Sequence, residues 1–321
     1  MLELTKPMVR TLSRLGQCAA FGLSLTALGE ENKQVVALTA DLGGHAALNK
    51  FKEQFPERFF NFGIAEQNMI GAAAGFAKEG FIPFASTFGT FASMRVADQI
   101  RVNMGYNGAG IKLVGLTSGI CAGVLGPTHI CIEDMTVMRS IPNITVVSPA
   151  DGAATVKAVY AAAKSDAPIY LRLTGAMNNP IVYSGDFDFE IGKAITLKEG
   201  EDVALIATGS MVYNSLKAAE ILEEKGISAS VIDMHTVKPL DRSAIDKVMG
   251  AKLIVTLEEN SVNGGRGEAV AHELAGRKNS PQQLMIGIED FYPHANEYDV
   301  LMEECGLTAE KAAEKIAVKL S

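Results

Sequence analysis

The sequence has no uninterrupted run of about 18 apolar residues, so no membrane-spanning helix is expected. Its N-terminus, MLELTKPMVRTLSRLGQ, mixes charges into an amphipathic stretch and lacks the apolar core and small-residue cleavage site of a secretory signal. Cysteine is scarce: Cys18, Cys121, Cys131 and Cys305 show neither CxxC spacing nor the density of a disulfide scaffold. A reduced, cytoplasmic protein is the expectation. Positive charge is also in deficit, with a net charge of −8, whereas binding to a phosphate backbone depends on dense Lys and Arg. No nucleic-acid partner is expected. Low-complexity tracts and repeats of solenoid length are absent too. What is present is a globular composition, 48% hydrophobic and 21% charged, in a chain of 321 residues, long enough for two α/β domains of ordinary size.

Short β-branched runs alternate with longer helical patterns, as a parallel sheet with crossover helices requires. Strands are expected at 34–40, 112–116, 144–148 and 168–173, with helices at 8–29, 66–78, 93–104 and 151–164. From Gly175 to about Gly200 the pattern dissolves into Asn, Pro, Gly and Asp, the composition of a linker. A second alternating series follows, with strands at 203–208, 229–233, 253–258 and 284–288 and helices near 211–225, 241–249, 265–276 and 308–320. The expected fold class is therefore α/β, with two doubly wound domains over 1–175 and 199–321. They are joined by a linker, 176–198, that can carry a short extended segment.

The densest chemical signal is Phe62-Gly63-Ile64-Ala65-Glu66-Gln67-Asn68-Met69, followed by Gly71-Ala72-Ala73-Ala74-Gly75. Glu66 opens a helix whose Gly, Ala and Met residues offer it almost no polar company, and small residues admit another backbone or a flat ligand. Taken alone, Glu66 reads first as a solvated carboxylate favoured by the positive end of the helix, where acidic residues commonly sit. The run from Pro83 to Phe91 reads as a Ser/Thr/Gly-rich loop bearing Phe88 and Phe91, which can stack a heteroaromatic ring or simply pack. Gly126-Pro127-Thr128-His129 is a rigid turn ending in a histidine, an arrangement equally compatible with a structural role.

In this order and spacing, these stretches resemble the transketolase family. GIAEQNMIGAAAGFA, IPFASTFGTF, GPTH, IPNITVVSPAD, ATGS and LEENSVNGGRGEAV carry the resemblance. It spans essentially the whole chain and matches the pyrimidine-binding and C-terminal domains of full-length transketolases. It implies a thiamine diphosphate enzyme that moves a two-carbon ketol unit from a ketose donor to an aldehyde acceptor. By this resemblance Glu66 hydrogen-bonds the ring nitrogen of the cofactor's aminopyrimidine and promotes its imino tautomer, while Phe88 and Phe91 line the pyrimidine pocket. Asp41 lies at the end of the first strand beside the cofactor, and His129 donates to cofactor and substrate hydroxyls, joining Glu66 as a catalytic residue. The family holds the diphosphate through Mg²⁺ (or Ca²⁺) with Gly-Asp-Gly and a later Asn, oxygen ligands for a hard cation. This chain has no Gly-Asp-Gly, because Phe187 follows Gly185-Asp186. No metal ligand is assigned here. The resemblance then implies a separate N-terminal transketolase-like subunit carrying the diphosphate and metal motif, in an α₂β₂ heterotetramer.

Substrate-side positions depart from the family. Leu125 stands where an aspartate precedes Gly-Pro-Thr-His, Thr117 where a histidine lies upstream, His45 where a serine follows the strand-end aspartate, and Gly175 in place of a phosphate-binding arginine. Charge-assisted donors for a phosphosugar are thus depleted, with His45 or Arg172 available to compensate. A donor or acceptor outside the ordinary pentose phosphates is expected to meet His45, Thr117, Leu125 and His129. Two other readings stand beside this one. The first is a subunit like 1-deoxy-D-xylulose-5-phosphate synthase or a 2-oxoacid dehydrogenase β chain, which use an equivalent glutamate; the second is a non-catalytic assembly subunit. In the second domain Thr208-Gly209-Ser210 and Asn263-Gly264-Gly265-Arg266-Gly267 are candidate anion loops at helix N-termini, with no catalytic residue assigned. His235, His272 and His294 lack metal-ligand spacing.

Overall fold

Strand β1 (Val35–Thr39) is apolar or β-branched throughout and buried at every position, as an interior strand covered by helices on both faces must be. In the computed structural model, which describes residues 2–321, β1 pairs in parallel with β2 (Phe59–Asn61) on one side and β3 (Ile82–Phe88) on the other. With β4 (Lys112–Leu116), β5 (Thr145–Val147) and β6 (Ile169–Arg172), the order across the sheet is β5-β6-β4-β3-β1-β2, all parallel. The chain leaves β1 toward β2 but leaves β3 toward β4, so the winding reverses between β1 and β3. The crevice beyond the carboxyl ends of such a pair is where an open α/β sheet binds its ligand.

The second sheet is built from β7 (Ile195–Lys198), β8 (Val203–Ala207), β9 (Ala229–Asp233), β11 (Leu253–Ser261) and β12 (Gln282–Ile288). Its order is β12-β11-β8-β9-β7, with β7 alone antiparallel. Between β9 and β11 the short strand β10 (Thr236–Lys238) crosses to the first sheet and pairs antiparallel with β5. A continuous apolar cluster joins Leu12 and Phe21 of the first domain to Leu205 and Val255 of the second. Among the described residues no helix is long and apolar enough to cross a membrane.

Most expected elements are present, and the helix Glu66–Lys78 has the expected bounds. The helix expected over 8–29 is instead two, Lys6–Leu15 and Gln17–Glu31. They break at Gly16, where φ is +82° and a Cβ would lie 3.1 Å from the Ala176 carbonyl oxygen, a position that suits glycine. The helix expected over 93–104 is a short helix, Ala97–Ile100, running into a π-helical turn, Arg101–Tyr106. The segment expected as a loop around Phe88 is the central strand β3, followed by a one-turn helix, Gly89–Ser93. Ser86 is tolerated inside that strand because its buried hydroxyl donates to the Leu38 carbonyl oxygen at 3.3 Å. The linker is a pinned strap. The amides of Val182 and Tyr183 donate to Asp151 Oδ2 at 2.8 and 2.9 Å, and the Tyr183 hydroxyl donates to Asp233 Oδ2 at 2.7 Å. The last segment of the strap is the strand β7, at the edge of the second sheet.

Candidate active site

The ends of β1 and β4 are held in an unusual backbone conformation. Asp41, just beyond β1, has φ +60°, and Thr117, just beyond β4, has φ +54°. Non-glycine residues in the left-handed region carry strain and concentrate at functional sites. Asp41 is tied to the end of β2: its amide donates to Asn61 Oδ1 at 3.0 Å, and its Oδ1 accepts from Asn61 Nδ2 at 3.2 Å. The same Asn61 Oδ1 accepts from the Gly63 amide at 3.0 Å, so one side chain couples the end of β1 to the turn entering the Glu66 helix.

Glu66 is the first residue of its helix and only 3% exposed. The ordinary reading of a solvated first-turn carboxylate is therefore wrong. Its Oε1 accepts from Arg95 Nη1 at 2.7 Å, and no other described residue hydrogen-bonds either oxygen. The Arg95 guanidinium also lies over the Phe91 ring, 3.7 Å from its centroid. Phe88 and Phe91 meet edge to face at 6.1 Å, and His129 sits 5.5 and 5.4 Å from the two rings. His45 packs on the other side of Phe88 at 4.9 Å, and its Nε2 lies 2.7 Å from Thr117 Oγ1. Six residues thus form one chain of contacts: Glu66, Arg95, Phe91, His129, Phe88 and His45, with Thr117 at the far end. Desolvation lowers the pKa of the His45 imidazole from its ordinary value, although the residue as a whole is exposed.

Asp41 bonds to Asn61 and not to this ring cluster. Leu125 is 51% exposed at the end of a short turn, Gly123–Leu125, on the loop that carries His129. Arg172 cannot compensate for a missing phosphate ligand. It is 1% exposed, its Nε donates to both Asp134 carboxylate oxygens at 3.0 and 2.9 Å, and its Nη2 donates to the Glu259 carbonyl oxygen at 2.9 Å. Gly175 has φ +81°, a conformation that an arginine would adopt only under strain, and a Cβ there would require the Asn179 side chain to move.

Neither candidate anion loop is open. The amides of Arg266 and Gly267 donate to Glu258 at 2.6 and 2.7 Å, so the chain's own carboxylate caps that helix; the Ser210 hydroxyl donates to Glu259. His235 is buried against Phe189 at 4.0 Å, and burial pushes its pKa down to about 4. The sequence expectations overlooked Arg95 and Asn61. Arg95 lies 29 residues beyond Glu66, a separation with no periodic signature, whereas Asn61 could have been suspected as a polar residue at a strand end facing Gly63.

Residues 17–178 match the transketolase pyrimidine binding domain, and residues 192–312 match the transketolase C-terminal domain. The 6-deoxy-6-sulfo-D-fructose transketolase subunit SqwH of Clostridium sp. (strain MSTE9) is 41% identical over 286 residues, covering 88% of this chain and 87% of that protein. An apulose-4-phosphate transketolase subunit of Phocaeicola vulgatus is 35% identical over 283 residues, covering 88% of this chain and 90% of that protein. A solved structure described as a split gene transketolase, inactive beta4 tetramer, is similar with a TM-score of 0.84 and 40% identity, over 94% of this chain and 96% of that one. The two matched domains together take in nearly the whole chain, and these relatives are of similar length. The chain belongs to the transketolase family of thiamine diphosphate-dependent transferases and corresponds to the C-terminal section of a split transketolase.

Proposed function

We propose that this chain supplies the pyrimidine side of a two-subunit thiamine diphosphate site, and that the completed enzyme transfers a two-carbon ketol unit from a ketose to an aldehyde. The observation that carries this reading is the convergence of a 3% exposed carboxylate, two phenylalanine rings and a histidine beside the β1–β3 switch point. The residues fit the cofactor: Glu66 Oε2 has no hydrogen-bond partner among the described residues, and the guanidinium that binds Oε1 lies over the Phe91 ring. Bound there, thiamine diphosphate supplies the nucleophilic carbon and the electron sink that ketol transfer needs. Glu66 holds the proton shared with the aminopyrimidine ring nitrogen, from a side chain that is 3% exposed. Phe88 and Phe91 orient the ring, and Asp41, at the strained end of β1, is assigned a place beside the cofactor. His129, with Nδ1 engaged by Thr128 Oγ1 at 2.9 Å, keeps Nε2 for a cofactor or substrate hydroxyl.

The diphosphate and its Mg²⁺ (or Ca²⁺) are assigned to an N-terminal partner subunit, in an α₂β₂ assembly. The absence of Gly-Asp-Gly from this chain supports that, as does the naming of both split relatives as subunits. Its four free thiols suit a reducing compartment such as the cytoplasm. On the substrate side, the His45–Thr117 pair, the apolar Leu125 and Gly175 put no arginine or lysine at the positions where a sugar phosphate would be met. We therefore assign the enzyme a ketose or aldehyde outside the ordinary pentose phosphate pair, in keeping with relatives named for 6-deoxy-6-sulfo-D-fructose and apulose 4-phosphate, both anionic sugars outside that pair.

Reconstitution with the Gly-Asp-Gly subunit tests this, comparing xylulose 5-phosphate plus ribose 5-phosphate against non-phosphorylated, deoxy and sulfonated sugars. Efficient use of the ordinary pair would sink the substrate assignment, and release of CO₂ from pyruvate would move the chain to the synthase or dehydrogenase reading. In the same complex Glu66→Ala should lower kcat by about 10²–10⁴-fold. Full activity in that variant would make the chain an assembly subunit.

A further inference from the structure

We propose that Glu259, on strand β11 of the second domain, is a positioning residue that holds the loop 117–131 in register and thereby sets where Thr117, Leu125 and His129 meet substrate. The inference rests on the substrate-side reading of those three residues. It gives the second domain a part in the reaction.

The loop runs from the end of β4 to Cys131 with little regular structure beyond the Gly123–Leu125 turn. Its ends are clipped together by reciprocal backbone hydrogen bonds of 2.8 Å between Gly119 and Cys131. A loop of this length holds one conformation only if something outside it supplies the contacts. Glu259 does so from 1% exposure: Oε1 accepts from the Ile120 amide at 2.7 Å, while Oε2 accepts from the Tyr298 hydroxyl at 2.9 Å and from Ser210 Oγ. Gly119 is what lets the carboxylate in, because a Cβ at that residue would stand 2.2 Å from Glu259 Oε1.

Four further contacts tie the same loop or its exit to the second domain. The Glu259 carbonyl oxygen accepts from Arg172, whose Nη2 also reaches the Cys131 carbonyl oxygen at 3.3 Å. The Ser261 amide donates to the Ile132 carbonyl oxygen at 2.8 Å, the Asn296 amide to the Gly123 carbonyl oxygen at 3.2 Å, and the Tyr292 hydroxyl to Glu133 Oε1 at 3.0 Å. Of these groups, Glu259 is the one that spends a buried carboxylate on a loop amide. Burial pushes its pKa up, and well-packed apolar side chains would serve plain stability at least as well. What the carboxylate adds is direction: if the loop shifts by about 1 Å, the groups that meet the aldehyde no longer converge on it, and kcat/KM can fall by about 10²-fold.

The test uses Glu259→Ala and the conservative Glu259→Gln, which keeps an acceptor for the Ile120 amide. In the reconstituted complex Glu259→Ala should raise the KM for the aldehyde by about tenfold or more while kcat and thiamine diphosphate affinity stay within about twofold. Glu259→Gln should restore the wild-type KM. A merely structural role would instead lower the amount of active enzyme and leave KM in place, and that outcome would overturn the proposal. In the chain alone, amide exchange at Ile120 and Cys131 should accelerate about tenfold in Glu259→Ala with β8 and β9 unchanged. Unchanged protection at Ile120 counts equally against it. Should Glu259→Ala fail to fold, the wild-type chain decides: the Ile120 amide must exchange as slowly as amides of β11, and fast exchange refutes the tether. If the wild-type complex transfers no ketol unit, the functional reading fails, whereas the exchange measurements still judge the tether.

Discussion

Glu66 is a helix-opening carboxylate that has exchanged solvent for Arg95, and the same guanidinium covers Phe91. Arg95 therefore occupies both groups assigned to the pyrimidine and must yield part of that ground when the cofactor arrives. Arg95→Ala strands the buried carboxylate, so it should destabilise the free chain by about 1–3 kcal/mol. That penalty should shrink once the partner subunit and thiamine diphosphate give Glu66 another partner, as urea denaturation with and without them would record. Equal penalties in both conditions would speak against Glu66 as the cofactor's contact. Glu66, Phe88, Phe91 and His129 were legible as residues because each sits in a compact local motif. Arg95 was not, because its pairing with Glu66 depends on where the turn beyond the one-turn helix Gly89–Ser93 lies against the start of the helix Glu66–Lys78.

At the scale of elements, polar composition misled for β3 and backbone geometry decided Gly175. A strand with Ser86 and Thr87 at its centre looks like a loop until the neighbouring Leu38 carbonyl oxygen is placed beside the Ser86 hydroxyl. Segments with continuous apolar runs, such as β1, β8 and β9, carried no such ambiguity. Restoring the family arginine as Gly175→Arg should fail twice over. The positive φ of +81° and the contact with Asn179 make it destabilising by about 1 kcal/mol or more, which a shift in the urea midpoint would register. It should also leave turnover of phosphorylated acceptors no better than wild type. A stable variant with improved use of ribose 5-phosphate would show that Gly175 alone excludes the phosphate.

For the molecule as a whole, the domains are interlocked: β10 lends a strand to the first sheet, and the strap between them closes on Asp151 and Asp233. Burial pushes Asp233 up to about 7 from its ordinary 3.8, a rise that the Tyr183 hydroxyl only partly offsets. Because the folded chain holds this proton more tightly than the unfolded one, stability from the group is full below the ordinary value and falls as pH rises through about 7. Asp233→Asn has no proton to lose. The difference in urea midpoint between Asp233→Asn and wild type should therefore move in favour of the asparagine from about pH 5 to about pH 8. A difference that stays flat would mean that Asp233 is ionised throughout. The two-domain division was legible from the break in alternation after Gly175, but the return of β10 was not, since three residues of strand carry no address.

By itself the sequence determined the family, the two alternating α/β series and the motifs that carry Glu66, Phe88, Phe91 and His129, because these are written in short-range patterns: a small-residue helix opening, a rigid turn, a periodic apolar run. Only the tertiary structure decided that Arg95 sits on Glu66, that Arg172 is spent on Asp134, that Glu258 fills its own helix terminus and that Glu259 reaches across to Ile120. Those partners are joined by strand order and by domain packing, and a charged side chain's partner across a sheet leaves no trace in the residues that flank it along the chain.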